Sequence, residues 1–182
     1  SKTVGAIAEL TPSGDIVIRG TEIEPTINCV RYGCIQNVES TKATVNRIIT
    51  KLKDYVDGDI TSVYVSVAGR TLHSLQSEVT YKLQNEQVIT DNIINTILKK
   101  SREKHFEGYE VIDVVPRSFV IDKREMKNPV GSFGTEIKVR LTTLVAKPNL
   151  VINLKRVFNS QMVKAYITAP LALANAVLTE DE

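Results

Sequence analysis

Hydrophobic and polar positions alternate most cleanly between Glu136 and Leu141. Ile137, Val139 and Leu141 fall on one side, and Glu136, Lys138 and Arg140 on the other. A period of two predicts a strand with one buried face and one wetted face. The run from Tyr109 to Val120, rich in Val, Ile, Phe and Tyr, predicts a second strand. The polar connection from Asp122 to Gly134 holds Asn128-Pro129 and the glycines Gly131 and Gly134, so it reads as an ordered loop. Upstream, Thr90 caps a helix from Asp91 to Lys104, with Ile93, Ile94, Ile97 and Leu98 as its apolar stripe. Its end carries Lys99, Lys100, Arg102 and Lys104, where cations suit the helix dipole. Leu72, Ser74, Gln76 and Glu78 to Lys82 predict a strand of mixed polarity. Together these make a compact strand-helix-strand-strand module.

The flanking chain reads as a larger α/β sheet that carries the module. Thr3 to Leu10 and Ile16 to Glu24 predict two strands of a hairpin around the turn cluster Thr11-Pro12-Ser13-Gly14-Asp15. Val30 to Ile35 predicts a short third strand. Asn37 is an N-cap candidate, followed by Val38, Val45, Ile48, Ile49, Leu52, Tyr55 and Val56 at helical spacing as far as Asp57-Gly58. Ile60 to Ala68 is almost continuously apolar and predicts a strand buried on both faces. After the module, Pro148 opens a helix with Leu150, Val151, Leu154, Val157 and Phe158 as its stripe. Val163 to Ile167 predicts a strand, and Pro170 to Val177 a short apolar helix. No internal repeat, low-complexity segment or long linker interrupts the chain.

Four stretches resemble one family, in that family's order. They are SKTVGAIAE at Ser1 to Glu9, SVYVSVAGRTLHS at Ser62 to Ser74, the VVPRSFVID strand with its KNPVG-xx-G loop and EIKVRLT strand, and PLALANAVLTEDE at Pro170 to Glu182. In these residues the chain resembles the FtsA family of bacterial cell-division proteins, in the actin and Hsp70 superfamily. The resemblance implies part of an actin-like, ribonuclease H-like lobe (lobe 1A) at residues 1–71 and 147–182. It implies an inserted module (1C, SHS2-like) at 72–146. It also implies that the sequence is an N-terminal piece of such a protein.

Composition narrows the function. With 182 residues, 42% of them hydrophobic and 24% charged, the chain is of ordinary globular composition. A net charge of +2, 5% aromatic residues and no Trp argue against a nucleic-acid surface or a stacking platform. No apolar run approaches the ~20 residues of a membrane helix and no signal peptide opens the chain, so a cytoplasmic location is expected. Cys29, Cys34, His73 and His105 match no zinc spacing. A Cys29–Cys34 disulfide is open on paper, and reduced thiols are the expectation for a cytosolic chain.

No catalytic constellation stands out. There is no nucleophile elbow, phosphate loop, dinucleotide fingerprint or paired-His motif, and the chain is not expected to be an enzyme. The GSFG run at Gly131 to Gly134 is a turn between strands rather than a phosphate cradle. His105 suits a helix C-terminus as a dipole partner, and His73 falls at the module junction. Arg117, Lys123, Arg124 and Lys127 cluster around the module loop, interleaved with Asp122 and Glu125. With Glu103 and Glu107 near the helix end, this reads first as a solvated face and second as a surface for an acidic partner.

The resemblance supplies the remaining expectations. Ser1 and Lys2 match the end of a phosphate-holding run, but the rest of that run, the second phosphate loop and the adenosine pocket find no counterpart. ATP and Mg are therefore implied for the full-length protein, and no cofactor is expected on this chain alone. The family's FtsZ contact uses the second lobe and its membrane attachment uses a C-terminal amphipathic helix, neither of which matches here. The full-length protein belongs at the inner face of the cell membrane at the division site. The inserted module is expected to serve self-association into filaments and contacts with later division proteins. Candidate interaction residues are Leu72, Ser74, Gln76 and Glu78 on the polar strand, and Arg117, Lys123, Arg124, Asn128, Gly131 and Gly134 around the loop. Two other readings stand beside it: an actin-like cytoplasmic platform of type IV pilus assembly, and a piece of a sugar kinase or Hsp70-type ATPase.

Overall fold

In the computed structural model the described residues are 2–158 and 162–177. The chain forms two compact units, Ser1–Arg70 with Asn149–Glu182, and Thr71–Pro148. The fold is mixed α/β.

The first unit begins with the antiparallel hairpin of β1 (Lys2–Leu10) and β2 (Ile16–Pro25). Helix α1 (Val38–Leu52) lies on this hairpin. Asn37 caps it, accepting the Ser40 amide at 2.9 Å, and Thr41, Thr44, Val45, Ile48 and Leu52 form its buried stripe. The close approach depends on Gly5 and Gly20. A Cβ on Gly5 would run into Ile48, and one on Gly20 into the Tyr55 ring. On the opposite face of the hairpin Val4, Ile18 and Ile23 are exposed among the described residues.

Two expectations change here. The short strand expected over Val30 to Ile35 is instead a tiny ribbon, β3 (Val30–Arg31) and β4 (Cys34–Ile35), around a two-residue turn at Tyr32-Gly33. The strand expected over Ile60 to Ala68 is the shorter β5 (Val63–Val67), and it is not buried on both faces. Val65 and Val67 are buried while Tyr64 and Ser66 are exposed, because Tyr and Ser alternate with the valines. β5 pairs in parallel with β10 (Val163–Thr168). Among the described residues, the hairpin and the β5–β10 pair are separate sheets. Helices α3 (Pro148–Val157) and α4 (Ala169–Val177) complete the unit. Leu150, Val151, Leu154 and Val157 of α3 are buried. Cys29 and Cys34 are free thiols, the first buried.

The second unit is an antiparallel sheet under one helix. Its strands are β6 (Leu72–Val88), β7 (Glu110–Ile121), β8 (Arg124–Met126) and β9 (Phe133–Ala146), in the spatial order β6-β9-β7-β8. The alternating stretch is thus the central strand. Its apolar side, Ile137, Val139 and Leu141, is at most 1% exposed and packs with Ile89, Ile94, Ile97, Phe119 and Ile121. Helix α2 (Asp91–Arg102) closes that face and ends two residues before the expected Lys104. β6 runs to Val88, six residues past the expected end, through an irregularity between Lys82 and Gln87.

Candidate functional site

The surface of the second unit has three parts, each fixed by its strand register. The first is the outer sheet face, opposite α2. In the ladder Glu78 stands across from Arg140, Gln76 from Thr142 and Ser74 from Leu144. Arg140 bridges outward both ways, to Glu78 at 3.7 Å and to Glu125 at 2.6 Å, and Lys138 meets Glu78 at 3.1 Å. Ser118 donates to Glu125 at 2.7 Å. That bond and the Arg140 charge hold the Glu125 carboxyl below its usual range. Glu78 and Arg140 are thus tied into a charge ladder that crosses the whole sheet. Surface pairs of this kind each contribute little, so their main effect is to fix side-chain positions.

The second part is the turn after β7. Asp122 and Lys123 both have positive φ, 44° and 76°, the backbone of a two-residue hairpin turn, and the chain returns as β8. The loop expected between two strands therefore contains a strand of its own. The Asp122 carboxylate accepts the Thr135 amide at 3.0 Å, the Thr135 hydroxyl at 3.0 Å and the Glu136 amide at 2.9 Å. These donors, the Thr135 amide first and the Glu136 amide next, hold its pKa below the ordinary value. A depressed carboxylate adds stability that is present above its unfolded pKa and is lost as pH falls through the folded one. Asp122→Asn should therefore flatten the acid side of the stability profile below about pH 4. Urea midpoints at acid and neutral pH would check this, and an unchanged difference between the two would refute it.

The third part is the tip from Asn128 to Gly134. The Asn128 side chain accepts the Val130 amide at 3.0 Å. The Gly131 amide reaches the Ile89 carbonyl at 2.9 Å, and the Ile89 amide reaches Ser132 at 2.8 Å. These bonds sew the tip to the end of β6. Gly131 has φ 88° and points a missing Cβ into open space, whereas Gly134 is buried against Ile121 and Asp122. Val88, Val130 and Phe133 are exposed at this end of the sheet, Phe133 by 66%, and Val88 stands opposite Phe133 in the ladder. Val130 and Phe133 fall within the candidate loop from Lys123 to Gly134, although neither stood out by itself, and Val88 lies outside it. The available signal was Phe133, an aromatic residue inside a turn.

The candidate residues thus separate. Ser74, Gln76 and Glu78 lie on one strand of the outer face; Lys123 and Arg124 lie at the β7–β8 turn; Asn128 and Gly131 lie in the tip. Leu72 is half-buried opposite Ala146, and Arg117 is exposed beside the irregularity of β7. The basic helix end is engaged within its own unit: Arg102 binds Asp113 at 3.1 Å, and the Lys100 ammonium lies 5.2 Å over the Tyr81 ring. His73 stacks edge-on against Tyr109 at 5.6 Å. Ser1 lies outside the described residues, as does the LTEDE run from Leu178 to Glu182. Lys2 is exposed at the start of β1, opposite Pro25 in the ladder. Among the described residues, no three His, Cys, Asp or Glu side chains are grouped to hold a metal, and no helix is long and apolar enough to cross a membrane.

Comparison with known proteins gives concordant matches. Residues 69–145 match the family described as "SHS2 domain inserted in FTSA". The chain is 27% identical over 165 residues to the cell division protein FtsA of Porphyromonas gingivalis, covering 87% of this chain and 34% of that protein. It is 26% identical over 186 residues to the FtsA of Escherichia coli K12, covering 100% of this chain and 44% of that protein. The chain spans less than half the length of these curated relatives. A solved structure, a PilM-PilN type IV pilus biogenesis complex, contains a chain that superimposes with a TM-score of 0.57 at 11% identity, over 96% of this chain and 46% of that one. At that identity the likeness is one of fold.

Proposed function

We propose that this chain, which is similar to FtsA and whose residues 69–145 match the SHS2 domain inserted in FtsA, serves as a scaffold in bacterial cell division, with the second unit as its recruiting surface. The observation that carries the reading is one coincidence. The matched domain is the compact unit Thr71–Pro148, whose core is closed by α2 and whose tip is left apolar and exposed. The tip offers an exposed aromatic side chain, Phe133, of the kind enriched in protein contacts. In this reading later division proteins dock on the tip and the adjoining outer face. Contact with FtsZ, attachment to the membrane and nucleotide binding are assigned to parts of the longer relatives that these residues do not span.

The test is capture of cytoplasmic segments of division proteins by the chain. Leu72 pairs directly with Ala146, so residues 72–146 can be replaced by a short linker without stretching the flanking backbone. Capture should vanish with that deletion. Phe133→Ser should weaken it by about tenfold, the loss expected of one buried aromatic anchor. Capture that survives the deletion, or no capture of any segment, would rule out the second unit as the recruiting surface.

A further inference from the structure

The β3–β4 ribbon of the first unit carries a feature that the division-scaffold reading does not use. Its turn residues Tyr32 and Gly33 both have positive φ, 51° and 75°. Gly33 is required there, because a Cβ would run into the carbonyl of Ala68, with the Gly69 Cα at 2.9 Å. The ribbon tip is thereby seated on the backbone that leads from β5 to Arg70. Tyr32 is a bulky side chain in a conformation that favours Asn, Asp or Gly, yet the residue is 57% exposed. Core packing therefore does not account for the ring.

What lies against the ring is charge. The guanidinium of Arg70 sits 3.9 Å from the ring centroid and that of Arg31 sits 5.2 Å from it. Both arginines are exposed, and among the described residues neither has a carboxylate partner. Arg19, Arg47, Arg102 and Arg140 each meet an Asp or Glu; what sets Arg31 and Arg70 apart is that both guanidinium groups lie against one exposed ring. A guanidinium lying over an aromatic face keeps its in-plane N–H groups free, and these match a carboxylate in two-point geometry. Two such groups, Arg31 beside the turn and Arg70 on the segment beneath it, form a preorganised receptor for negative charge.

We propose that Arg31, Tyr32 and Arg70 form a docking point for an acidic peptide segment of a protein partner. A polypeptide fits better than nucleic acid because the cluster is short. It holds two cations and one ring, with no basic track for a phosphate backbone to follow and a net charge of only +2 on the chain. Arginine rather than lysine at both positions also suits planar carboxylates.

The probe is a fluorescein-labelled peptide of alternating Asp and Glu, titrated with the chain and followed by polarisation at about 0.15 M salt, where unspecific charge attraction is screened. Saturable binding is expected. Arg31→Lys with Arg70→Lys keeps the charge but removes the fork, and should weaken binding by about tenfold. Tyr32→Asn keeps the turn conformation, removes the ring, and should weaken it several-fold. Arg117→Gln with Arg124→Gln, in the other unit, should leave it unchanged. Equal binding by the lysine double variant, equal loss in the Arg117/Arg124 control, no saturation, or preference for a single-stranded oligonucleotide over the peptide would each overturn the proposal. The control variants and the Phe133 capture assay lie in a separate unit, so failure here is distinguishable from failure of the scaffold reading.

Discussion

Ile137→Ala should lower the stability of the second unit by about 3–5 kcal/mol. Ile137 is fully buried on the central strand β9, between Tyr81 of β6 and Ile121 of β7 in the ladder. Its side chain belongs to the one cluster that joins sheet to helix through Ile89, Ile94 and Ile97. The strands on both sides are pinned by backbone hydrogen bonds, so the hole cannot collapse and both the transfer and the cavity terms are lost. A domain has only about 5–15 kcal/mol in total, so the change removes a large share of it. Ile137→Val should cost about 0.5–1.5 kcal/mol at the same place. Urea unfolding of the two variants checks the gradation. A loss under about 1 kcal/mol for the alanine would mean that this face is not the core.

Gly134→Ala should destabilise the same unit by about 1–3 kcal/mol, by overpacking rather than by a cavity. The backbone angle at Gly134 is open to any residue; the obstacle is space. A Cβ there meets Ile121 and lies 3.0 Å from the Asp122 carboxylate oxygen. The intruding methyl pushes on the group that accepts the Thr135 and Glu136 amides, so packing and hydrogen bonding fail together. Gly131→Ala is the useful contrast, since its Cβ would enter open space and only the φ of 88° opposes it. Thermal midpoints of both variants, with Asp122→Asn as a third, separate crowding from strain. An unchanged midpoint for Gly134→Ala would show that the carboxylate and Ile121 yield without cost.

Periodicity was most informative where one face of an element is buried. The β9 pattern, the α1 and α2 stripes and the caps at Asn37 and Thr90 were all legible, because each depends on residues close in sequence. The misreading of β5 came from counting apolar residues over Ile60 to Ala68 without giving weight to Tyr64 and Ser66, which restore a period of two. Strand β8 was hidden because its turn uses Asp122-Lys123, and a Lys at positive φ carries no turn signal in sequence. The 17-residue length of β6 was missed since Leu83 to Gln87 holds none of the β-branched residues that mark strands; its partner, the start of β9, lies far along the chain. The apolar tip and the Arg31–Tyr32–Arg70 cluster were invisible for the same reason. Exposure and ring-to-guanidinium distance depend on which segments fold back on each other.

The pairing of Leu72 with Ala146 also governs how the two units can fold. Where an insertion leaves and re-enters its host at neighbouring positions, the host must close a gap spanning a single ladder pair, whatever the length of the insert. Once the second unit is folded, the loop-closure entropy borne by the first is that of a few residues rather than of the whole inserted stretch. The module is then a knot of order that shortens the effective chain for its surroundings. The first unit should refold faster with the module folded than with it unfolded by a core substitution such as Ile137→Ala.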